Sequence, residues 1–477
     1  MKGLQVLSSP KELKLLANEN AYAILDMLRK QEYSGIGIAG ETGMDCGLAS
    51  YYLRKLEKHN LIEIVRTEKR RGATEKFYRA TAENFLIHTD VGKAPDKILR
   101  SLSNAYLDNV QYTRMNKYIN ECIDIIVNES LKITKDTKVY IMYMWNNIEF
   151  LERLAASILH AGAEFRIFLN SPFLVKKLMS SVPIDSVQNF FNYKSDEFEW
   201  ADVWINLGNP PKLDMSSIPA ERLDKIARIR REALPGLRMN EDLRTMVVSL
   251  LSFEQDFQNE PRIFERMEMY WKAASLKMND YRIMKETADI LLSRKKFRIE
   301  SGQHAELQVE LKSDNYILFA GPLSEFYTGH KEYIMPSGGI EMLPEEAGIN
   351  GEIYCELLPD DVTRISGVRL KIENNVVVNA KADKGLDLLQ ARLDSQGIEG
   401  RTISQIGFGL NCQIKSSKLL PKIANMRCGA VNIAFGSNKR IGGTIADDIA
   451  NWELSSLFPT VFSGDELVFK KNKFKIS

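Results

Sequence analysis

Residues 138–207 alternate between short apolar strands and an amphipathic helix, and this alternation limits the possible folds more than any other feature of the chain. A strand, a helix of about ten to fifteen residues and a second strand are typical of a parallel β-sheet, because parallel neighbours need a long crossover. The predicted elements are a helix through Leu154 and Ile158 and the strands 138–144, 164–169 and 201–207. We therefore predict a three-layer α/β subdomain at residues 135–258.

The chain changes character at about residue 259, where short strands separated by glycines and acidic turns begin. This pattern predicts an α+β subdomain at residues 259–477, preceded at residues 93–134 by a helical connector. Its predicted helices are 261–276, 281–294, 384–393 and 418–425, and its predicted strands are 305–311, 352–357, 367–373 and 375–381. A length of 477 residues agrees with about three domains.

Several protein classes are excluded by composition. The five cysteines contain no CxxC pair and the five histidines no HExxH, HxH or HxD pattern, so neither a disulfide framework nor the commonest zinc motifs are present. No apolar run approaches the roughly 20 residues that cross a bilayer, and the first ten residues do not resemble a secretory signal. We expect a cytoplasmic protein with no membrane partner and no cofactor.

Residues 1–92 follow the order of a winged helix-turn-helix. A helical pattern covers residues 10–29, a glycine-bracketed turn of helix follows at 35–40, and Asp45 can cap a third helix. An alternating strand at 61–65 and a returning strand at 75–79 form the hairpin. This order resembles that of ArsR-like transcription regulators, and the residues that carry the resemblance are Gly43, Leu53, Leu56, Leu61, Ile62 and the stretch 70–79.

Basic residues are concentrated in the predicted hairpin. Between residues 66 and 79 six basic side chains stand against two glutamates, in a chain whose net charge is only +1. Such a cluster favours contact with phosphates, while the third helix can enter the major groove of double-stranded DNA. The predicted DNA-binding residues are Ser50, Tyr51 and Arg54 on the helix and Arg66, Lys69, Arg70, Arg71 and Lys76 on the hairpin. The alternative is a protein-docking module with a solvated basic face.

Residues 135–477 resemble metallopeptidases of the aminopeptidase T type. The stretches that carry this resemblance, in the family's order, are 201–207, 335–339, 351–353, 405–411, 429–436, 442–443 and 451–453. The resemblance implies two divalent metals held by two glutamates, two histidines and an aspartate, with a tyrosine nearby. The matching positions in this chain hold Gly339, Gln405, Asn432, Asn451 and Glu453, and the tyrosine position holds Lys439.

Most of these residues cannot offset the charge of two cations, because a two-metal hydrolase needs several anionic or imidazole ligands. We therefore expect no bound metal and no enzymatic activity. Amide side chains can instead donate to and accept from a peptide backbone. The predicted ligand-binding residues are Ser337, Gln405, Asn432, Lys439, Asn451 and Glu453; alternatively, they satisfy one another in a collapsed pocket.

These features favour a homodimeric, DNA-binding transcription regulator whose aminopeptidase-like domain senses a peptide or small-molecule effector. One alternative is a non-enzymatic protein of a ribosomal-peptide tailoring pathway, in which the winged helix grips a leader peptide. Another is an enzyme with altered chemistry that uses Lys439, Glu453 and Gln405.

Overall fold

A computed structural model gives the fold of the chain as two compact units. The first consists of Met1–Arg114 with Phe253–Glu268, and the second of Met115–Ser252 with Met269–Ser477. The structure describes residues 2–7, 10–16, 18–70, 73–87, 112–144, 148–208, 218–233, 242–250, 262–302, 304–327, 329, 331–358, 365–416, 421–445, 451–470 and 473–474. Residues 93–111 of the predicted connector lie outside this part of the chain.

The first unit has the predicted order of three helical regions followed by a hairpin. Its elements are α1 (Pro10–Leu16), α2 (Glu19–Lys30), α3 (Gly35–Thr42), α4 (Cys46–Lys58), β1 (Lys2–Leu7), β2 (Tyr33–Ser34), β3 (Ile62–Arg70), β4 (Ala73–Ala80) and β5 (Ala82–Ile87). Strands β2, β4 and β3 form an antiparallel sheet with β3 at its edge, and β1 pairs with β5 in parallel. The helix predicted at 10–29 is two helices, because the Asn18 side chain accepts the N–H groups of Asn20 and Ala21 and starts α2.

Local signals position α4. Gly43 ends α3 with φ +70°, a left-handed conformation that favours glycine. Asp45 then accepts the N–H groups of Gly47 and Leu48 at 2.7 and 3.4 Å, which is the predicted cap. The inner face of α4 is fixed by Ala49, Leu53 and Leu56, which are at most 2% exposed in the core of this unit. The opposite face of α4 is therefore held toward solvent.

A parallel five-stranded sheet forms the α/β part of the second unit, as predicted. Its strands are β6 (Lys138–Tyr143), β7 (Glu164–Leu169), β8 (Val203–Leu207), β9 (Arg244–Val248) and β13 (Glu332–Met335), in the order β13-β9-β8-β6-β7. The helices in this part of the chain are α5 (Asn116–Asp124), which continues into a π-helix at Ile125–Ser130, α6 (Ile148–His160), α7 (Pro172–Ser180), α8 (Ile184–Trp200) and α9 (Ala220–Ala233). The sequence did not indicate β9 or β13, and β13 comes from the half of the chain predicted to be α+β.

The described remainder of the second unit is mainly antiparallel sheet. Its strands are β10 (Lys296–Ser301), β11 (Ala305–Phe319), β12 (Glu325–Phe326), β14 (Gly339–Leu357), β15 (Ser366–Glu373), β16 (Val376–Lys384), β17 (Ile403–Gly409), β18 (Val431–Phe435), β19 (Trp452–Ser456), β20 (Thr460–Ser463), β21 (Glu466–Lys470) and β22 (Lys473–Phe474). The helices that precede or interrupt them are α10 (Ile263–Ala274), of which residues 269–274 belong to this unit, α11 (Met278–Arg294), α12 (Leu386–Asp394) and α13 (Gly397–Arg401). A 3-10 turn at Pro421–Met426 replaces the predicted helix 418–425.

Four of these strands pair in a closed circuit. Strand β14 pairs with β17, β17 with β18, β18 with β19, and β19 again with β14. The mixed α/β architecture predicted from sequence is confirmed. Within the described residues, no helix is both long and apolar enough to cross a membrane.

One charged side chain of the α/β part is buried without a carboxylate partner among the described residues. Lys194 on α8 is only 8% exposed, and its Nζ lies 4.5 and 5.0 Å from the ring centroids of Phe168 and Phe190. Burial, with a smaller contribution from the positive charge of Arg230, lowers the pKa of Lys194 to about 8. The charged form of this lysine therefore destabilises the folded state.

We expect Lys194→Met to raise the free energy of unfolding at pH 7 by about 2 kcal/mol, since one pKa unit corresponds to roughly 1.4 kcal/mol. The wild type should gain stability as the pH rises through about 8 toward 10.5, because the unfolded chain then binds the extra proton. Urea denaturation at pH 7 and pH 10 measures both effects. The variant should lack this gain, and the exposed Lys176→Met should behave like wild type; a destabilised Lys194→Met would contradict the expectation.

Candidate functional site

A cavity of about 290 Å³ is lined by residues of the closed strand circuit. Its apolar wall contains Ile317, Phe319, Phe408, Phe435 and Trp452, of which Phe435 and Trp452 stack with ring centroids 4.2 Å apart. Its polar lining consists of Glu341, Gln405, Asn425, Asn432, Ser437, Arg440, Asn451 and Glu453. The cavity is therefore a mixed pocket in which carboxylates and amides lie beside aromatic rings.

Strand register explains why these polar side chains meet. Glu341 pairs with Gly407, and Gly407 pairs in turn with Asn432. In the next row Gln405 and Glu453 both pair with Ala434. Side chains directly opposite across antiparallel strands share a face of the sheet, as do residues two apart along one strand. Four strands thus present their polar residues to one side.

Four of the six predicted ligand-binding residues line the cavity, namely Gln405, Asn432, Asn451 and Glu453. The other two lie elsewhere. Ser337 is 3% exposed, and its Oγ accepts the N–H of Gly321 at 2.8 Å. Lys439 is exposed at the start of a 3-10 turn, and its neighbour Arg440 lines the cavity instead. That the four lining residues bind a ligand stays a prediction.

Part of the polar lining is satisfied internally through Asn425. The side-chain amide of Asn425 donates to Glu453 Oε1 at 2.6 Å, and the backbone carbonyl of Asn425 accepts from Asn432 Nδ2 at 2.9 Å. The Oδ1 of Asn432 accepts from the Ser455 hydroxyl at 2.8 Å. Among the described residues, Gln405 makes only a long contact of 3.4 Å, to the carbonyl of Ser437. Asn432 and Glu453 are therefore held in place, whereas Gln405 is held weakly.

Glu341 is the cavity carboxylate that the sequence did not reveal; Asn425, Ser437 and Arg440 also line the cavity without having been predicted. Its carboxylate makes neither a hydrogen bond nor an ion pair with any described residue. Burial raises the pKa of Glu341, the charge of Arg440 opposes this shift, and that of Glu332 adds to it. Arg440 itself donates to Glu332 at 2.7 Å. The available signal was spacing, because Glu341 lies two residues after Gly339 and so shares its face of β14.

In the first unit, α4 exposes the three residues predicted to read DNA. Ser50 and Arg54 are exposed, and Tyr51 is 43% exposed. The Nζ of Lys55 lies 4.4 Å from the centroid of the Tyr51 ring, and Arg54 Nε donates to the carbonyl of Ser50 at 3.2 Å. The outer face of α4 therefore carries a hydroxyl, an aromatic ring and two cations.

The hairpin of β3 and β4 carries the other predicted DNA contacts. Lys69 and Lys76 are exposed. Arg66 is already engaged, because it donates to Glu32 at 2.5 Å and to Glu68, and its guanidinium lies 3.5 Å from the Phe77 ring centroid. Neither the side chain of Arg70 nor residue Arg71 belongs to the described part of the chain. Lys69 and Lys76 are thus the described hairpin cations best placed for phosphates.

Comparison with known proteins assigns the second unit. Residues 115–398 match the family of thermophilic metalloproteases (M29). The chain belongs to the M29 family. Wild-type AmpT from Thermus thermophilus shares its fold, with a TM-score of 0.57 and 13% sequence identity over 76% of this chain and 100% of that one. None of the curated proteins compared matches this chain.

Two structures match a shorter part of the chain. Reduced HlyU from Vibrio cholerae N16961 is 28% identical over 19% of this chain and 84% of its own, and NolR from Sinorhizobium fredii is 27% identical over 20% and 81%. Both TM-scores are 0.13, which is too low to support an argument about fold.

The M29 family implies a metal centre, so the cavity should contain side chains that can bind metal ions. Glu341 and Glu453 are the carboxylates among the lining residues, and no three His, Cys, Asp or Glu side chains cluster in the described part of the chain. Asp447 and Asp448 lie outside that part. Because two divalent ions need several anionic or imidazole ligands, the described side chains do not fit a two-metal centre.

The expectation that the chain is not an enzyme is wrong, because residues 115–398 match a family of metalloproteases. That expectation counted ligands only at the positions carried over from the resemblance, where Gly339 stands in place of a glutamate. It overlooked Glu341, which supplies a carboxylate on the same face of β14.

Proposed function

We propose that this chain is a homodimeric DNA-binding regulator in which the M29 domain binds the amino-terminal end of a peptide. The observation that carries the proposal is the fixed orientation of α4, whose buried stripe holds Ser50, Tyr51 and Arg54 in solvent beside a basic hairpin. A helix held in this way suits the major groove, and two copies suit paired half-sites.

The charge distribution of the first unit supports DNA as the partner. Arg54 and Lys55 on α4 and Lys69 and Lys76 on the hairpin are exposed cations. Arg54 can donate to the acceptors of guanine in the groove, while the lysines contact phosphates as point charges. The pairing of Arg66 with Glu32 and Glu68, together with its contact to Phe77, stiffens the hairpin that carries these lysines.

The chemistry of the cavity supports a peptide amino terminus as the ligand. Its 290 Å³ is near the lower end of ligand pockets, which span roughly 300–1,000 Å³, so it suits the end of a chain rather than its middle. The carboxylate of Glu341 has no hydrogen-bond partner among the described residues. It can therefore pair with the ammonium group of a peptide. Gln405 and Asn451 can pair with peptide amides, and the stacked Phe435 and Trp452 provide an apolar surface for the first side chain.

Coupling between the two ligands tests the proposal. The full chain should shift duplex DNA from its own upstream region at low salt as a complex of two chains per duplex. A peptide that binds the M29 domain should change the DNA affinity by about fivefold or more, since allosteric couplings are typically 1–3 kcal/mol. Fluorescence anisotropy with labelled duplex, with and without short peptide libraries, measures both. Absence of any duplex binding at low salt would refute the regulator.

One observation favours a second candidate function. Strand β3 lies at the edge of its sheet and exposes Ile64 and Val65 by 37% and 41%. An extended leader peptide could add to this edge as a further strand, with its side chains against these residues. Binding of a leader peptide without duplex binding would select this candidate. The alternative of an enzyme with altered chemistry is not supported by the geometry, because Lys439 is not among the residues that line the cavity.

A further inference from the structure

Two cysteines, Cys412 and Cys428, meet beside the cavity wall. The preceding residues, Asn411 and Arg427, form a parallel β-bridge. Around it the N–H of Asn411 donates to the carbonyl of Met426 at 2.8 Å, and the N–H of Cys428 donates to the carbonyl of Asn411 at 3.1 Å. Each cysteine lies one residue beyond the bridge, so the two backbones hold them side by side. Their thiol groups are close enough for each to shift the pKa of the other.

The two thiols differ in access and in acidity. Cys412 is exposed, whereas Cys428 is 2% exposed. The hydrogen bond from Cys428 lowers the pKa of Cys412, and the charge of Lys415 lowers it further, although burial and Asp280 oppose the shift. The same contact and burial raise the pKa of Cys428. An exposed thiol that ionises easily thus lies against a buried thiol that stays protonated.

The other cysteines of the chain lack this arrangement. Cys46 is exposed in the first unit, at the start of α4. Cys122 and Cys355 are buried, and burial raises the pKa of both. Because the thiolate is the reactive form, neither buried thiol is expected to react readily. Cys46 therefore serves as an exposed reference thiol.

We propose that Cys412 and Cys428 are a site of reversible disulfide formation driven by a peroxide. The Cys412 thiolate attacks one peroxide oxygen and breaks the O–O bond, which leaves a sulfenic acid and, after proton uptake, one water. The sulfur of Cys428 then attacks the sulfenic sulfur, its proton goes to the departing hydroxide, and a second water leaves. The two thiols are oxidised by two electrons and hydrogen peroxide is reduced to two waters.

This bond would form next to residues that shape the cavity. The turn Pro421–Met426 carries Asn425 and Met426, both of which line the cavity, and Cys428 follows two residues later. The backbone here has little slack, because a Cβ on Gly409 would lie 2.1 Å from the carbonyl oxygen of Arg427. A cross-link to Cys412 would therefore fix the segment whose Asn425 amide holds Glu453.

Peptide mapping of the full chain tests the site without DNA or peptide ligand, so its result is independent of the proposed function. The protein is treated with one equivalent of hydrogen peroxide, alkylated with iodoacetamide and cut with trypsin. Cleavage after Arg401, Lys415, Arg427 and Lys439 releases residues 402–415 and 428–439 as separate peptides. We expect these two joined by a disulfide that dithiothreitol removes, with Cys412 consumed about tenfold faster than Cys46 because its pKa is lowered and Cys428 lies beside it to complete the disulfide.

Two variants and one control make the mapping decisive. Cys428→Ser should stop at the sulfenic acid of Cys412, which dimedone traps, and Cys412→Ser should leave Cys428 reduced. Cys46→Ser should cross-link like wild type. Cys412 and Cys428 oxidised separately, or Cys412 reacting no faster than Cys46, would overturn the proposal. The dimedone adduct keeps the test valid even if the cross-linked form proves unstable.

Discussion

Replacing Arg54 and Lys76 together by alanine is expected to lower the affinity for duplex DNA by about 100-fold. A base contact of the kind that Arg54 can make is worth about 1–3 kcal/mol, and each lost phosphate contact adds to that loss. Both side chains are exposed, one on α4 and one on the hairpin, and neither supports the core. The effect should therefore come from the interface and leave the melting temperature unchanged.

Anisotropy titrations between 50 and 200 mM salt measure this expectation. The slope of log affinity against log salt should become shallower by about one unit for each lost phosphate contact. The matched control is Lys14→Ala with Lys30→Ala, which removes the same charge from exposed positions on α1 and α2. An equal loss of affinity in this control would mean that net charge acting at long range, rather than contact with DNA, explains the result. Unchanged affinity and slope in the first variant would remove α4 and the hairpin from the interface.

The first unit was predictable where its structure is decided by neighbours in sequence. Asp45 caps α4 through amides two and three residues away, and Gly43 ends α3 through its own backbone freedom, so both could be identified from the chain alone. The ion pair of Arg66 could not be identified in this way, because its partner Glu32 is 34 residues away in sequence and contacts it only in the folded structure. Counting charge along residues 66–79 therefore overstated the positive charge available to a phosphate.

The candidate site was harder to predict, because its residues come together only through contacts between distant parts of the sequence. The strands β6, β7 and β8 were predicted from their apolar runs, but β13 has only four residues, three of them partly exposed, and no such run. Gln405, Asn432, Asn451 and Glu453 were brought together by a family resemblance rather than by any local signal. Glu341 was not predicted as a site residue because its place in the cavity depends on the register of β14 against β17. In that register it lies opposite Gly407, which has no side chain to fill the space beside Asn432.

That register makes Glu341 the most informative residue to change. We expect Glu341→Gln to weaken binding of a peptide with a free amino terminus by about 100-fold, because truncating one partner of a buried charge pair costs about 2–5 kcal/mol. The substitution keeps the shape of the side chain and removes only its charge. Isothermal titration calorimetry of the full chain with a short peptide measures the loss. Glu286→Gln, a matched change at an exposed carboxylate of α11 outside the cavity lining, should bind nearly as well as wild type.

Acetylating the peptide separates charge pairing from a general disturbance of the pocket. The acetyl group removes the ammonium charge of the peptide. Wild type should therefore bind the acetylated peptide about as weakly as Glu341→Gln binds the free peptide. Acetylation should lower the affinity of Glu341→Gln only slightly further. Burial raises the pKa of Glu341, so its carboxylate takes up a proton at a higher pH than an ordinary glutamate does, and wild-type affinity for the free peptide should fall as the pH is lowered. Glu453 and the Arg440–Glu332 pair are the nearby charges, and their effect remains in the glutamine variant, which should show a flatter profile. Equal affinities of the free and acetylated peptides for wild type would contradict recognition of the amino terminus by Glu341, whatever the variant does.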